Sequence, residues 1–219
     1  DLNTDIKNFN KALSQLTTIF LDVDGVFTDG GLYFSDNGVH IKKFNVLDGL
    51  GCMLLKQVGV NLIILTARHN FAVKERFKEL EVSQVFTNVL KKQIFIKDYK
   101  KNYNLKKNEL AMVGDDLQDM VAKEEVGLFF TTPNAVDEVK KYADFITKRF
   151  GGDGAVREIC DLIIRSKGST PLLEFDSLYF VSPNIGLPIE YNCFLNWCFL
   201  PVIGFNSNKL ASEFLSITL

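Results

Sequence analysis

The sequence predicts an α/β fold, a doubly wound parallel sheet with a β-hairpin flap, and three observations predict it. Short apolar runs alternate with stretches of helical spacing from residue 17 to residue 166. Turn-forming residues punctuate the alternation, and three of the runs end in small acidic or hydroxyl residues, at Asp22, Thr66 and Asp115. Parallel strands need crossover connections, so strand–helix alternation places helices on both faces of the sheet. Ligands bind such sheets outside the carboxyl ends of the strands.

Residues 3–16 set Ile6, Phe9, Leu13 and Leu16 at the period of a helix. "TTIFLDV" (17–23) then reads as a buried strand. "GLYFSDNGVHIKKF" (31–44) reads as two short strands around Asp36-Asn37-Gly38, hence a hairpin. Helix 48–58 leads to strand 61–65, helix 70–80 to a short strand at 84–87, and helix 92–103 to strand 110–113. Helix 116–126, strand 127–130, helix 134–141, strand 144–147 and helix 154–166 complete a Rossmann-like order. Only the hairpin and one helix fit between Asp24 and Thr66, and one helix and a short strand between Thr66 and Lys92. Neither interval has room for a cap domain. The rhythm stops at Lys167: residues 168–219 hold four of the five prolines and the single tryptophan. We therefore read a domain over 1–167 and a tail of unassigned structure over 168–219.

Composition narrows the function. The chain of 219 residues is 47% hydrophobic and 24% charged, ordinary values for a globular protein with a core. A net charge of −2 gives no basic excess for nucleic acid or an anionic membrane surface. No run of about 18 apolar residues suggests a membrane span, and the first twenty residues show no signal-peptide pattern. The lysines of "KKFNVL" (Lys42 and Lys43), "LKKQ" and "EVKK" read as solvated faces. Cys52, Cys160, Cys193 and Cys198 lack C-x-x-C spacing and read as free thiols of a reducing cytoplasm.

The chemistry gathers in "TIFLDVDGVFTDGG", where Asp22, Asp24 and Asp29 fall within eight positions behind a strand. Carboxylates crowded at one sheet edge repel each other unless a cation sits among them. Hard oxygen donors favour Mg²⁺ over zinc, and neither His40 nor His69 has a partner at zinc-ligand spacing. Mg²⁺ binds through one or two carboxylates plus a substrate phosphate, so the cluster points to phosphoryl chemistry. Phosphoryl transfer also needs donors and positive charge on the phosphoryl oxygens, which Thr66 and Lys92 can bring. An aspartate can act as nucleophile, and a second carboxylate two residues on can move the proton. Each piece has a plainer reading: D-x-D-G as a turn, "LTAR" as a strand end, "KKQ" as a solvated pair, "GDD" as a loop. Their shared placement at strand ends and helix starts favours one site.

"DVDGVFTDG", Thr66 in "LTAR", Lys92 and "GDDLQD" (114–119) resemble the four motifs of the haloacid dehalogenase superfamily of phosphatases. The resemblance implies that Asp22 is the nucleophile and Asp24 the general acid and base, with Thr66 and Lys92 neutralising the phosphoryl group. It implies Mg²⁺ held by the Asp22 carboxylate, the Asp24 carbonyl and Asp115, supported by Asp116 and Asp119. "KKFNVLDGLG", "VGDDLQDM" and "GGDGAVREICDLI" are similar to the 3-deoxy-D-manno-octulosonate 8-phosphate phosphatase branch. That branch implies a small-molecule sugar-acid phosphate as substrate, met by Asn45, Asp48, Gly49, Arg68 and Arg76. It also implies a cytoplasmic role in lipopolysaccharide precursor synthesis, and a homotetramer built through hairpins such as 31–44. Leu47 stands where many members of the branch carry arginine, and Met53 where a basic residue is usual. These departures leave a nine-carbon, sialic-acid-type 9-phosphate open as the substrate. A non-catalytic oligomerisation module is the remaining alternative, against which the intact acidic set speaks.

Overall fold

The computed structural model describes residues 2–34, 36 and 40–180. In chain order the elements are α1 (Leu2–Ser14), β1 (Thr18–Leu21), β2 (Tyr33–Phe34), β3 (His40–Ile41), α2 (Val46–Gln57), β4 (Asn61–Leu65), α3 (Phe71–Glu79), β5 (Val85–Phe86) and α4 (Lys92–Asn102). Then follow β6 (Leu110–Val113), α5 (Leu117–Met120), β7 (Leu128–Thr131), α6 (Asp137–Tyr142), β8 (Phe145–Ile146), α7 (Ala155–Ser166) and α8 (Pro171–Phe180). Six strands form one parallel sheet in the order β5-β4-β1-β6-β7-β8. With the hairpin set aside, the sheet has the doubly wound order, and its reversal falls between β4 and β6, beside β1. The aspartates after β1 and β6 thus leave the sheet at its switch point.

Strand side chains point alternately to opposite faces, and two cores result. Ile19, Leu21, Leu62, Ile64, Ala111 and Val113 face the layer built by α1, α2, α3 and α7. Phe20, Ile63, Leu65, Leu110, Met112 and Phe129 face the layer that includes α4 and α6. All four β1 residues are buried, which explains why the strand reads as one continuous apolar run with no alternation. Fully burying a side chain such as Phe20 contributes about 2 kcal/mol.

The antiparallel pair β2–β3 stands as its own two-stranded sheet, with Tyr33 opposite Ile41 and Phe34 opposite His40. Asn37 and Gly38 of its expected turn lie outside the described residues. Among the described residues, no cap domain is inserted between Asp24 and Thr66 or between Thr66 and Lys92.

Three elements differ from their sequence expectation. The helix expected over 116–126 is a short α5 followed by a 3-10 segment, Val121–Glu125; its greater rise per residue carries the chain back to β7. The helix expected from residue 134 begins at Asp137, because the Asn134 side chain is drawn to Gly25 and Gly151 instead. Beyond Lys167 the chain forms α8, whose Phe175 and Leu178 pack on the first core, and the compact unit runs on to Tyr179. "LLEFDSLYF" is largely apolar, so its helical period is hard to read. The rest of the expected tail, with Cys193 and Cys198, lies outside the described residues. Cys52 and Cys160 are free thiols, buried together between α2 and α7. Among the described residues no helix is long and apolar enough to cross a membrane.

Candidate active site

Asp22 follows β1 directly, and its N–H donates to the carbonyl of Val113 at the end of β6. That bond extends the parallel ladder by one residue and brings Asp22 level with the loop that carries Asp115. Asp22, Asp115 and Asp119 each offer an oxygen within 4.8 Å of the others. Lys92, the first residue of α4, is fully buried and donates to Asp22 Oδ1 at 2.5 Å and to Asp119 Oδ1.

Asp119 is committed elsewhere as well. Its Oδ2 accepts from the N–H groups of Asp115 at 3.1 Å and Asp116 at 3.2 Å, while Asp116 accepts from Leu117 N–H at 2.7 Å. The two side chains reciprocally cap α5. Asp116 and Asp119 therefore hold the loop rigid behind Asp115. Thr66 is buried after β4, and its hydroxyl accepts from Arg68 N–H at 3.2 Å.

The charges explain what the cluster needs. Burial, the Asp22 and Asp119 carboxylates, and Asp116 push Asp115 up to about 8. Burial, with Asp119 adding to it, also raises Asp22, and the Lys92 ammonium offsets part of that. Burial alone would lower Lys92; its two carboxylate partners outweigh that and hold it above its ordinary value. One lysine does not neutralise three carboxylates, two of them buried and that of Asp115 half-buried. The oxygen donors and excess negative charge fit a hard divalent cation seated on Asp22 and Asp115.

The backbone around the aspartates is fixed by close approach. Gly25 has φ +81°, and a Cβ there would lie 1.8 Å from Asp115 Oδ2. Its carbonyl accepts from Thr132 Oγ1 at 3.2 Å and Asn134 Nδ2 at 2.9 Å, while Asn134 Oδ1 accepts from Gly151 N–H at 2.8 Å. A Cβ at Gly151 would sit 1.9 Å from the Gly25 carbonyl oxygen. "GGDG" thus serves as a glycine surface on which the first-motif loop lies. Asn134 and Thr132 went unread in the sequence, since nothing local marks a residue in "TTPN" as a partner of residue 25.

Other expected residues are placed differently. Asp29 accepts from Gly31 N–H at 2.9 Å and Tyr33 O–H at 2.6 Å, which holds it below the usual carboxylate range. It is a turn residue at the foot of the hairpin and no part of the acidic cluster. Asp48 has no exposed surface, and its Oδ1 accepts from Arg157 N–H at 2.9 Å at the start of α7. Burial pushes it up to about 6. The enclosed carboxylate ties α2 to α7. Asn45 caps α2 through Leu47 N–H at 2.9 Å and reaches the Gly152 carbonyl. Gly49 makes room for the Arg76 guanidinium, which pairs with Glu79 at 2.9 Å. The expectation that Lys42 is solvated is overturned: its side chain is 5% exposed and pairs with Asp24. Arg68 Nε lies 3.8 Å from the other Asp24 oxygen.

Comparison with known proteins agrees with this geometry. Residues 82–159 match the model of the haloacid dehalogenase-like hydrolase family. The chain is 35% identical over 150 residues to the 3-deoxy-D-manno-octulosonate 8-phosphate phosphatase KdsC of Escherichia coli, covering 68% of this chain and 80% of that protein. The 3-deoxy-D-manno-octulosonate 8-phosphate phosphatase of Moraxella catarrhalis, solved with magnesium, phosphate and KDO, superposes with a TM-score of 0.72 at 32% identity, over 79% of this chain and 97% of that one. A cobalt-bound counterpart from Haemophilus influenzae gives 0.68 at 32%, over 72% and 92%. Motif order, strand-end placement and this similarity assign the chain to the phosphoric monoester hydrolases of the haloacid dehalogenase superfamily.

Proposed function

We propose that the protein is a Mg²⁺-dependent phosphatase that hydrolyses 3-deoxy-D-manno-octulosonate 8-phosphate to KDO and phosphate, in cytoplasmic lipopolysaccharide precursor synthesis. The observation that carries the reading is the convergence of Asp22, Asp24, Thr66, Lys92 and Asp115 at adjacent strand ends, in a chain related to enzymes of that name.

In this reading an Asp22 carboxylate oxygen attacks phosphorus, the P–O bond to the sugar breaks, and Asp24 gives its proton to the departing oxygen. Water then attacks the aspartyl-phosphate while Asp24 takes a proton back, releasing phosphate and regenerating Asp22. Lys92, already on Asp22, and Thr66 stabilise the phosphoryl oxygens as charge moves onto them. Asp119 and the α5 cap keep Lys92 and Asp115 in register. Asp22, the Asp24 carbonyl and Asp115 would hold a divalent cation, which would supply charge neutralisation for the incoming phosphate. The open edge of the capless sheet is closed by hairpins 31–44 of neighbouring copies in a homotetramer; exposed Phe34 and Ile41 support that role.

A nine-carbon sugar acid 9-phosphate is the second reading, kept open by Leu47 and Met53, both exposed apolar residues of α2. Phosphate release across octulosonate 8-phosphate, sialic-acid 9-phosphates and simple sugar phosphates, with and without Mg²⁺, decides between them. Asp22→Asn should reduce turnover at least about a thousand-fold while leaving assembly intact. Full activity in that variant, or silence of the wild type on every ester, would sink the proposal.

A further inference from the structure

We propose that Asn134, backed by Thr132, is a positioning residue for proton transfer: by holding the Gly25 carbonyl it keeps the preceding residue, Asp24, in line with the departing oxygen. The inference rests on the phosphatase reading above and adds to it a residue outside the acidic cluster.

The first support is the way the turn that carries Asp24 is attached. Its internal bonds close on one atom, since the N–H groups of Val26, Phe27 and Thr28 all donate to the Val23 carbonyl, at 3.3, 2.9 and 3.1 Å. Bonds of that kind stiffen the turn without fixing where it stands on the sheet edge. Beyond β1, its place is set from outside. Asn134 and Thr132 donate to the Gly25 carbonyl, and Gly152 N–H donates to the Val26 carbonyl at 3.1 Å. Gly25 directly follows Asp24, so any rotation of its peptide swings the acid. A group that moves a proton must lie within hydrogen-bond reach of it, and a misplacement of about 1 Å can cost about a hundred-fold in rate.

The second support is what Asn134 joins. Both ends of its amide are engaged: Nδ2 donates to the Gly25 carbonyl at 2.9 Å, and Oδ1 accepts from Gly151 N–H at 2.8 Å. Its own loop is bonded to the strand end that carries Asp115, because Val136 N–H donates to the Asp115 carbonyl at 3.1 Å. One side chain thus sets the Asp24 turn in register with the Asp115 loop and with the glycines before α7. The third is exposure. Thr132 is fully buried, but Asn134 is an exposed residue, and exposed side chains add little to fold stability. A two-ended bond at such a place serves the geometry of the turn more than the stability of the fold.

The test isolates proton transfer by leaving group. The sugar oxygen of 3-deoxy-D-manno-octulosonate 8-phosphate must take a proton as its P–O bond breaks, whereas p-nitrophenolate leaves p-nitrophenyl phosphate as a stable anion. Comparing kcat/KM confines the readout to steps through release of that leaving group, before water attacks the aspartyl-phosphate. Asn134→Ala should lower the ratio of kcat/KM for the sugar ester to that for the aryl ester by about ten-fold or more. Its thermal midpoint should stay within about 2 °C of the wild type. Thr132→Val, which keeps the shape of the buried side chain, should lower the ratio in the same sense by less. Asp24→Asn supplies the reference and should lower it most. A ratio that falls in Asp24→Asn but holds in both clamp variants would overturn the inference while leaving the phosphatase reading standing. So would an equal fall on the two esters in Asn134→Ala, the mark of a merely structural residue. An unchanged ratio in Asp24→Asn, or a wild type silent on both esters, would remove the reading beneath the inference and the inference with it.

Discussion

At the scale of single residues, the site turns on how few cations serve how many carboxylates. Lys92 lies fully buried between Asp22 and Asp119, so its removal strands two acids in a dry pocket. Lys92→Met should destabilise the fold by about 3–5 kcal/mol, read as a lower denaturant midpoint, and should also abolish phosphate release. The same logic made Lys42 illegible in advance. A lysine in "HIKKF" has no local mark distinguishing it from its neighbour Lys43, and only the path of the hairpin carries it to Asp24. Asp22, Asp24 and Asp115 were legible because a carboxylate ending an apolar strand has few other uses. Asp48 was legible as special but not in its role, since its partner, the backbone of Arg157, is more than a hundred residues away.

At the scale of elements, that buried carboxylate adds a hydrogen bond to the apolar packing of α2 on α7. Its folded value near 6 lies above the ordinary 3.8, so its contribution is fully present below pH 4 and is lost as pH rises through about 6. A shift of that size is about 3 kcal/mol. Asp48→Asn keeps the acceptor for Arg157 N–H without the titration. Urea unfolding at pH 4 and pH 8 should therefore show the variant gaining on the wild type at the higher pH; a constant gap would refute this account. The hairpin makes the opposite case. Tyr33, Phe34 and Ile41 are exposed, and the pair forms its own small sheet. Replacing residues 33–41 by a two-residue turn should leave the thermal midpoint of the main sheet nearly unchanged. It should sharply reduce turnover and lower the assembly's mass in light scattering. Unaltered activity would show that the flap does not complete the site.

At the scale of the whole molecule, the acidic edge couples metal, pH and stability. Asp115 is raised from 3.8 to about 8, and Asp22 moves in the same direction. Raised carboxylates stabilise the fold below their unfolded values and cease to do so as pH climbs through the folded ones. Metal-stripped protein should therefore lose thermal stability steadily between pH 4 and pH 8. If, as proposed, Mg²⁺ binds the folded carboxylates and not the unfolded chain, it should flatten that slope. At a hundred times its Kd it should add about 2.7 kcal/mol. Calorimetric scans with EDTA and with Mg²⁺ at pH 5 and pH 8 check this, with the largest difference expected at pH 8.

The sequence by itself determined the sheet, the order of its strands and helices along the chain, and the acidic residues at its edge, because those depend on apolar periodicity and on chain-local chemistry. A parallel strand buried on both faces must read as a short apolar run, and the residue leaving it must reach the sheet edge. Only the tertiary structure decided which polar residues meet. Asn134 on Gly25, Asp48 on α7, Asp119 on Lys92 and Lys42 on Asp24 are contacts between segments 18 to 109 residues apart. Such pairs leave no periodic trace, since each partner is chosen by the fold that brings it near.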